Sequence, residues 1–269
     1  MKLDERMRFY EQAEAGRLCM PGVPIMARLD GRNFASYTLG LEKPFDRGFR
    51  TLMIRTTRAL VDQSGARVGY TQSDEITLLF YSDNFESQVY FNGKIQKMVS
   101  ILASIATLEF NKGVQRWLPN HDRSNPHFDC RVWQVPTLEE AANCFLWREQ
   151  DCTRNSVEMA ARTYFSHKQL HGKNTKEMQE MLFKEHGVNW NDYEPMFKRG
   201  TYIQKREISR TLSEEERERI PPQVRPELGQ MVKRRELFEL DLPPLGSIRN
   251  RVGVLVHGEP AQEDGVSET

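Results

Sequence analysis

The sequence predicts an α+β fold in which helices pack on an antiparallel sheet. An apolar segment at 23–29 is typical of a strand, and residues 45–64 show helical spacing of their apolar positions. Two strand-like segments, 66–70 and 75–81, flank a short polar turn, which is the pattern of a β-hairpin. With the helix and strand that follow, these elements have the β-α-β-β-α-β order of a ferredoxin-like unit, the order also found in polymerase palm domains.

The remaining elements are predicted from the same kinds of pattern. Polar residues 2–15 suit a helix, and the small residues within 86–113 suit a helix packed closely on a sheet. The other predicted elements are a loop at 122–126, a strand at 128–135, and helices at 137–164 and 174–186.

We expect the chain to divide into three parts. Residues 1–136 form a palm-like catalytic domain, residues 137–203 form a helical part of the same domain, and residues 204–269 form a C-terminal extension that is partly flexible. The extension is inferred from the charged, proline-broken stretch SEEERERIPPQVRPELGQ, and residues from Glu259 onward are predicted to be disordered.

Composition argues against several classes of protein. No apolar run reaches the roughly 18 residues of a membrane helix, and the polar N-terminus is unlike a targeting peptide. We therefore expect a cytoplasmic protein with no membrane partner. The 38 basic and 38 acidic residues cancel, so overall charge does not indicate a nucleic-acid partner. The four cysteines lack CxxC spacing, which argues against structural zinc and a disulfide framework.

Two aspartates are the strongest candidates for chemistry. Asp30, followed by Gly31, ends the first strand, and Asp74 lies at the hairpin tip beside Glu75. These strands are neighbours in a split βαβ topology, so the two aspartates can converge at one edge of the sheet. Close carboxylates repel each other, and magnesium prefers such oxygen ligands. We predict two Mg²⁺ ions about 3.5–4 Å apart, bridged by both aspartates, with the Gly31 carbonyl completing one shell.

Two alternatives accompany this metal prediction. Asp-Gly and Ser-Asp pairs are also common turn residues, and only their positions at corresponding strand ends favour a metal site. Glu75 is either a third metal ligand or a charged neighbour, and we prefer the neighbour.

Basic and amide groups near the first aspartate suit a triphosphate. Arg32, Asn33 and Phe34 offer a guanidinium, an amide and backbone N–H groups. Lys43, shortly before a helix, either binds the same phosphates or is a solvated loop lysine. Arg131 lies within an apolar strand, where it needs a phosphate or a carboxylate as its partner.

Basic residues beside aromatic ones recur in the second half of the chain. They either line a groove for an RNA backbone or form solvated helix faces. The segments are Trp147-Arg148, Arg154-Asn155, Arg162 to Phe165, His167-Lys168, His171 to Lys176 and Phe197 to Arg199.

Several blocks together resemble the tRNA-His guanylyltransferase family and its guanylyltransferase-like 3′–5′ polymerases. The resemblance covers about residues 3–205, and LDGRNF with QSDE is its most specific pair. The blocks, in family order, are ARLDGRNF (27–34), KPFD (43–46), YTQSDEITLLF (70–80), FDCRVWQVP (128–136), WREQDCTRNS (147–156) and MFKRGTYI (196–203).

This resemblance implies a tetrameric enzyme whose substrates are tRNA, ATP and GTP. Such enzymes activate a 5′-monophosphorylated tRNA and then add a nucleotide, preferentially GMP, to that 5′ end, with residues 137–203 contacting the tRNA. By position in the blocks, Asp30, the Gly31 carbonyl and Asp74 resemble the magnesium ligands. The positions that resemble nucleotide-binding residues are Asp30, Gly31, Arg32, Asn33, Phe34, Ala35, Lys43, Ser73, Asp74, Arg131 and Asn155.

One block departs from the members that add the extra guanosine of histidine tRNA. Those members carry His-Ile-Asn-Asn-Leu-Tyr after Asp-Cys, whereas residues 153–158 here are Thr-Arg-Asn-Ser-Val-Glu. Met178 also stands where the family has a lysine, with Lys173 and Lys176 nearby as substitutes. Because the altered block resembles the branch that repairs 5′-truncated tRNAs, we expect template-directed repair, with histidine-tRNA-specific addition as the alternative.

Two other classes of protein stay open at this point. A diguanylate-cyclase-like enzyme shares the palm topology, but the Gly-Gly of its hairpin tip is Gln72-Ser73 here. A non-catalytic RNA-binding module would keep the fold without the activity, and the intact pair of Asp30 and Asp74 argues against it.

Overall fold

The computed structural model describes residues 1–84, 89–121 and 125–263. Within these ranges, six antiparallel strands form one sheet in the order β4-β1-β3-β2-β5-β6. The first four strands have the 4-1-3-2 order of a split βαβ unit, which confirms the predicted α+β fold class. The strands are β1 (Ile25–Arg32), β2 (Val68–Gln72), β3 (Glu75–Phe80), β4 (His127–Gln134), β5 (Thr201–Thr211) and β6 (Met231–Leu240).

Helices cover both faces of the sheet. None of the helices in the described ranges is long and apolar enough to cross a membrane. The helices are α1 (Leu3–Ala15), α2 (Phe34–Tyr37), α3 (Arg47–Ser64), α4 (Ile95–Trp117), α5 (Leu138–Tyr164), α6 (His167–Leu170), α7 (Thr175–His186), α8 (Pro195–Lys198) and α9 (Glu214–Glu218).

The two faces of the sheet bury different sets of side chains, because successive residues of a strand point to opposite sides. Leu29 and Ile76 lie on the face that packs against α3 and α4, whereas Met26 and Leu79 lie on the face that packs against α5. Both cores are apolar and fully buried near the middle of the sheet. Asp30 and Glu75, at the hairpin ends of β1 and β3, also lie on the α5 face, and the candidate site is there.

Helix α3 begins and ends at residues that suit these positions. The Asp46 carboxylate accepts a hydrogen bond from the backbone N–H of Phe49 at 2.7 Å, which satisfies one of the free N–H groups of the first turn. Gly65 ends the helix with φ at 71°, a left-handed conformation that glycine adopts readily. The helix therefore runs close to the predicted range of 45–64.

The C-terminal part differs from the expected extension. The boundary at residue 204 falls inside β5, whose partner β6 continues the sheet. The side-chain amide of Gln204 donates to the carbonyls of Val254 and Leu255 at 2.9 Å, and Leu245 is fully buried. The hairpin was missed because its outer half carries mostly charged side chains and pairs only with itself. The charged, proline-broken stretch is the connection between the two strands.

Residues 259–263 also differ from the predicted disorder, because they are hydrogen-bonded to the preceding turn. The backbone N–H of Glu259 donates to the carbonyl of Gly253 at 3.0 Å, and that of Gln262 donates to Asn250 Oδ1 at 2.9 Å. Residues 264–269 of that prediction lie outside the described residues, as do 85–88 of the predicted helix and 122–124 of the predicted loop. The division of the chain into three functional parts stays a prediction.

Candidate active site

Three carboxylates lie in a row across neighbouring strands at one end of the sheet. Asp30 of β1 is directly opposite Glu75 of β3 and also opposite Asp129 of β4. Directly opposed residues of antiparallel strands project to the same face, with Cβ atoms about 4.5–5.5 Å apart. Two residues before Asp30 in β1, Arg28 lies opposite Arg131. The acidic row is therefore bordered by a basic pair.

The environment of Asp30 disfavours its charge. Burial raises the pKa of this carboxyl, and the neighbouring charge of Glu75 raises it further. Two guanidinium groups act in the opposite direction, because Nη2 of Arg28 and Nη2 of Arg131 lie 3.8 and 3.9 Å from Oδ2 of Asp30. The raised pKa shows that these two long contacts do not compensate fully for burial and the second carboxylate.

Asp74 lies beside this row because the hairpin tip is bonded to the end of β1. The backbone carbonyl of Asp74 accepts a hydrogen bond from the N–H of Gly31 at 3.1 Å. Burial raises the pKa of Asp74 to about 6, hydrogen bonds from its backbone and from Ser73 oppose that rise, and the charges of Asp30 and Glu75 add to it. The structure thus brings Asp30 and Asp74 together, as the topology predicted. We call Asp30, Asp74, Glu75 and Asp129 the acidic edge.

Gly31 allows a close approach that a larger residue would prevent. A Cβ atom at this position would lie 2.4–2.7 Å from ring atoms of Phe34. That ring is buried in the core, where Phe34 is 2% exposed, so the side chain takes no part in the site. The ring packs against Tyr37, Phe49, Phe110 and Phe128.

Glu75 is held by side chains of α5 and β2. Its Oε2 accepts hydrogen bonds from Nη2 of Arg148 at 2.5 Å and from Nε2 of Gln72 at 3.0 Å. Arg148 also donates to Oδ2 of Asp151 at 2.8 Å and is buried. The interpretation of Arg148 as part of an exposed RNA groove is therefore corrected, because its guanidinium joins α5 to the acidic edge.

Sequence reasoning gave no role in the site to Arg28, Asp129 and Asp151. Arg28 and Asp129 each lie two residues from a predicted site residue on the same strand, and that spacing places both on the same face of the sheet. The spacing was a signal that could have identified them. Asp151 lies three residues after Arg148, which is the helical spacing of an ion pair.

The oxygen donors at the acidic edge fit a magnesium ion. Magnesium usually takes one or two protein carboxylates and completes its shell with phosphate oxygens and water. Across the described ranges, no group of three or more His, Cys, Asp or Glu side chains could form a metal cage. The available set is the carboxylates of Asp30 and Asp74 with the carbonyl of Gly31. Both carboxyls have raised pKa values, and the charge of Asp30 contributes to the rise at Asp74, so a divalent cation between them would relieve repulsion.

A cavity of about 320 Å³ adjoins the hairpin tip and brings together three of the predicted nucleotide-binding residues. Lys43, Ser73 and Asn155 line it from a loop, the hairpin and α5. We call it the hairpin cavity. Much of its remaining wall is apolar, including Leu41, Phe45, Phe49, Met159, Met196 and Phe197. A cavity with an apolar wall and a few polar groups is typical of a small-molecule site.

Other predicted residues are placed elsewhere. Arg32 and Asn33 line a separate recess of about 550 Å³ with His127, beyond the end of β1. Ala35 is exposed, and Arg131 keeps a largely exposed side chain beside Asp30. The structure therefore distributes the predicted nucleotide-binding residues over the acidic edge and the two recesses flanking it.

The sheet order and the acidic edge define an α+β enzyme of the polymerase-palm type. Residues 4–136 match the family model described as tRNAHis guanylyltransferase, and residues 140–239 match the C-terminal domain of the same family. The chain belongs to this family, whose members are nucleotidyltransferases. The family assignment favours a guanylyltransferase-like enzyme over the cyclase and over the non-catalytic module.

Three relatives illustrate the extent of the similarity. A solved bacterial tRNA(His) guanylyltransferase-like protein in complex with ATP has a TM-score of 0.71 at 38% identity, covering 76% of this chain and 88% of that chain. A bacterial structure described in the same words, in complex with GTP, has a TM-score of 0.64 at 33% identity, covering 76% and 86%. The tRNA(His) guanylyltransferase of Neurospora crassa is 25% identical over 251 residues, which are 84% of this chain and 83% of that protein.

Proposed function

We propose that this chain adds nucleotides, preferentially GMP, to the 5′ end of tRNA in the 3′–5′ direction, after activation of the 5′-phosphate with ATP or GTP. The observation that carries this proposal is the position of Asp30 and Asp74 at one sheet edge, next to a cavity lined by Lys43, Ser73 and Asn155. The bacterial relatives in complex with ATP and GTP support nucleotides as substrates.

The hairpin cavity suits a nucleotide whose base and phosphates need different surroundings. Its apolar wall, including the stacked rings of Phe45 and Phe197, offers contact area for a base. The Lys43 ammonium is exposed at the rim and carries the charge that a triphosphate needs. Ser73 lies between the cavity and Asp74, so a nucleotide in the cavity would present its phosphates toward the acidic edge.

Asp30, Asp74 and the Gly31 carbonyl would hold two magnesium ions. Bound there, the ions would supply the positive charge that stabilises a phosphoryl group in transfer and would favour ionisation of an attacking hydroxyl. Arg131, with a side chain that is 61% exposed, is free to contact a phosphate while it stays close to Asp30. Glu75 is engaged by Arg148 and Gln72, so we assign it a positioning role.

The proposed reaction consists of two phosphoryl transfers. In the first, an oxygen of the tRNA 5′-phosphate attacks the α-phosphorus of ATP, and pyrophosphate leaves. In the second, the 3′-hydroxyl of the incoming nucleotide attacks the activated 5′-phosphorus of the tRNA, and AMP leaves. A tRNA that already carries a 5′-triphosphate needs only the second transfer, with pyrophosphate as the leaving group.

We propose 5′-truncated tRNA as the substrate rather than histidine tRNA alone. The altered block at 153–158 supports this choice, since it lies in α5 beside the hairpin cavity. The identity to the bacterial guanylyltransferase-like protein, 38%, is also higher than the 25% to the Neurospora crassa enzyme. A tetrameric assembly and a cytoplasmic location stay predictions from the sequence.

In the experiment, the protein is incubated with labelled GTP, ATP, Mg²⁺ and two 5′-monophosphorylated tRNAs, histidine tRNA and one with another anticodon. Each tRNA is supplied full-length and shortened by one 5′ nucleotide, the one opposite a cytidine. We expect label in the shortened tRNA, whatever its anticodon. Label confined to full-length histidine tRNA would favour the alternative substrate, and no label in any tRNA would contradict the proposed function.

A further inference from the structure

A second large recess lies at the opposite end of β2 and β3 from the hairpin tip. It encloses about 810 Å³ between the end of α3, a 3₁₀ turn at Tyr90–Gly93, the start of α4 and the hairpin of β5 and β6. We call it the basic recess. Because β3 runs from Glu75 to Phe80, the recess is roughly 17 Å from the acidic edge at about 3.4 Å per residue.

The charges around the basic recess are strongly unbalanced. Its described wall carries five basic side chains and one acidic one, Glu207, and that carboxylate already accepts from Lys233 at 3.1 Å. Lys205 pairs with Asp62 at 2.9 Å, outside the recess. Among the residues that the structure describes, the other four basic side chains have no acidic partner within ion-pair distance. They are Arg67, Lys94, Lys97 and Arg235.

Aromatic rings alternate with these cations. Tyr90 is half-buried and stacks on the buried ring of Phe80 with centroids 5.9 Å apart. The ammonium of Lys97 lies 4.7 Å from the centroid of Phe91, which is also half-buried. Phe91 has a φ of 50°, a left-handed conformation that residues other than glycine rarely adopt. The turn is fixed by the N–H of Cys19, which donates to the carbonyl of Gly93 at 2.9 Å. Aromatic faces between cations at a concave surface are what bases and phosphates of RNA require.

We propose that the basic recess binds the sugar-phosphate backbone of the RNA substrate, at a distance from the 5′ end that reacts. This inference rests on the proposed function, since it takes the RNA to be the substrate of the acidic edge. A tRNA whose 5′ end lies at the acidic edge is long enough to reach the recess as well. The recess therefore adds affinity for the body of the RNA without taking part in the chemistry, and it favours tRNA over free nucleotides.

The test is the double substitution Lys94→Glu with Lys97→Glu, which reverses two charges at the start of α4, where Lys94 is the N-cap residue and Lys97 lies in the first turn. A matched control, Arg55→Glu with Arg116→Glu, makes the same change of charge at another recess that contains basic residues, beside Trp117. Binding of a fluorescent 5′-shortened tRNA is measured by anisotropy between about 50 and 200 mM salt. Incorporation into the same tRNA, and into a short hairpin that carries only its acceptor end, is measured in parallel.

We expect the Lys94/Lys97 variant to bind tRNA at least about tenfold more weakly, with the salt slope shallower by about 0.7–0.9 for each phosphate that the variant no longer neutralises. The short hairpin should be extended at the wild-type rate, and the control variant should bind normally. The Gln versions of both lysines should give a smaller loss, and they serve as the test if the Glu variant fails to fold. Unchanged affinity and slope in a folded variant, or an equal loss in the control, overturns the proposal. Tight binding without incorporation by wild-type protein contradicts the proposed function instead.

Discussion

Nη2 of Arg148 lies 2.5 Å from Oε2 of Glu75, although the two residues are 73 positions apart in the chain. The same guanidinium nitrogen lies 2.8 Å from Asp151, so one buried cation faces two carboxylates. This contact joins α5 to the first residue of β3, which belongs to the acidic edge. It also occupies Glu75, which leaves Asp30, Asp74 and Asp129 as the carboxylates of the acidic edge without a short ion pair among the described residues.

Replacing Arg148 by methionine should destabilise the protein far more than the same change at Arg154. Glu75 and Asp151 are half-buried, and loss of the buried Arg148 leaves them only the 3.7 Å contact of Arg28 and the pair with exposed Arg154. Breaking a buried ion pair costs up to about 3–5 kcal/mol. Arg154 also pairs with Asp151 but is 57% exposed, and exposed pairs contribute under about 1 kcal/mol. Urea unfolding of both variants measures the difference, and equal losses of unfolding free energy would contradict a structural role for Arg148.

Glu75→Gln should retain most of the activity if Glu75 is a positioning residue. A glutamine keeps one oxygen to accept from Arg148, and it removes a charge that raises the pKa values of Asp30 and Asp74. We expect the rate of incorporation to fall by less than about tenfold, which is under 1.4 kcal/mol in the barrier. A loss as large as that of an Asp30 variant would instead identify Glu75 as a metal ligand.

Glu149→Ala should weaken the attachment of the C-terminal segment to α5. The Glu149 carboxyl accepts from the backbone N–H of Leu245 at 2.7 Å and from the hydroxyl of Tyr202 at 2.9 Å, and all three groups are buried. Removing it leaves two buried donors unpaired, each costing about 1–3 kcal/mol. Urea unfolding measures the loss of unfolding free energy. A loss below about 1 kcal/mol, which is less than one unpaired donor costs, would contradict this attachment.

The difference in stability between wild type and the conservative variant Glu149→Gln should depend on pH. Burial raises the pKa of Glu149, so folding favours its protonated form. The contribution of this protonated carboxyl to the stability of wild type is present below the usual pKa of a glutamate. It is lost as the pH rises through the raised value. Since glutamine cannot ionise, the variant should gain stability relative to wild type as the pH rises from the usual glutamate pKa, about 4.3, through the raised value. A difference that does not change with pH would contradict the raised pKa.

Gly31→Ala should destabilise the fold, although it adds only one methyl group. The new Cβ would meet the buried ring of Phe34 at 2.4–2.7 Å, and overpacking of this kind costs about 1–3 kcal/mol. Gly246→Ala is the matched control, because the nearest atom to its Cβ is 3.7 Å away. Thermal unfolding compares the two variants. Equal melting temperatures would contradict the predicted overpacking between Gly31 and the ring of Phe34.

Much of the acidic edge could be predicted because its parts are local in sequence. The strand before Asp30, the turn at Ser73-Asp74 and the element order each follow from short patterns. Register between strands is not local, so the pairing of Asp30 with Asp129 needed the folded sheet. Arg148 was misinterpreted because a basic residue beside Trp147 on a helix has the same pattern whether it faces water or a buried carboxylate.

The strands β5 and β6 could not be predicted for a different reason. Residues 206–211 and 231–236 pair with each other beyond the end of β2, so many of their side chains remain in water and carry charge. A strand that buries few side chains lacks the apolar alternation from which strands are recognised. The burial of Gln204 could not be predicted either, because its hydrogen bonds to the turn at 254–255 join residues that are far apart in sequence.

The most direct test of the central claim compares single-turnover incorporation of labelled GMP by wild type, Asp30→Asn, Asp74→Asn and Asp129→Asn at saturating Mg²⁺. Asp129 lies opposite Asp30 but has a side chain that is 58% exposed, so it reports the effect of losing a nearby charge alone. Loss of a metal ligand removes several kcal/mol of charge stabilisation. We therefore expect Asp30→Asn and Asp74→Asn to lose roughly 1,000-fold or more, at 1.36 kcal/mol per tenfold, while Asp129→Asn stays within about tenfold of wild type. Normal incorporation by a folded Asp74→Asn variant would contradict the account.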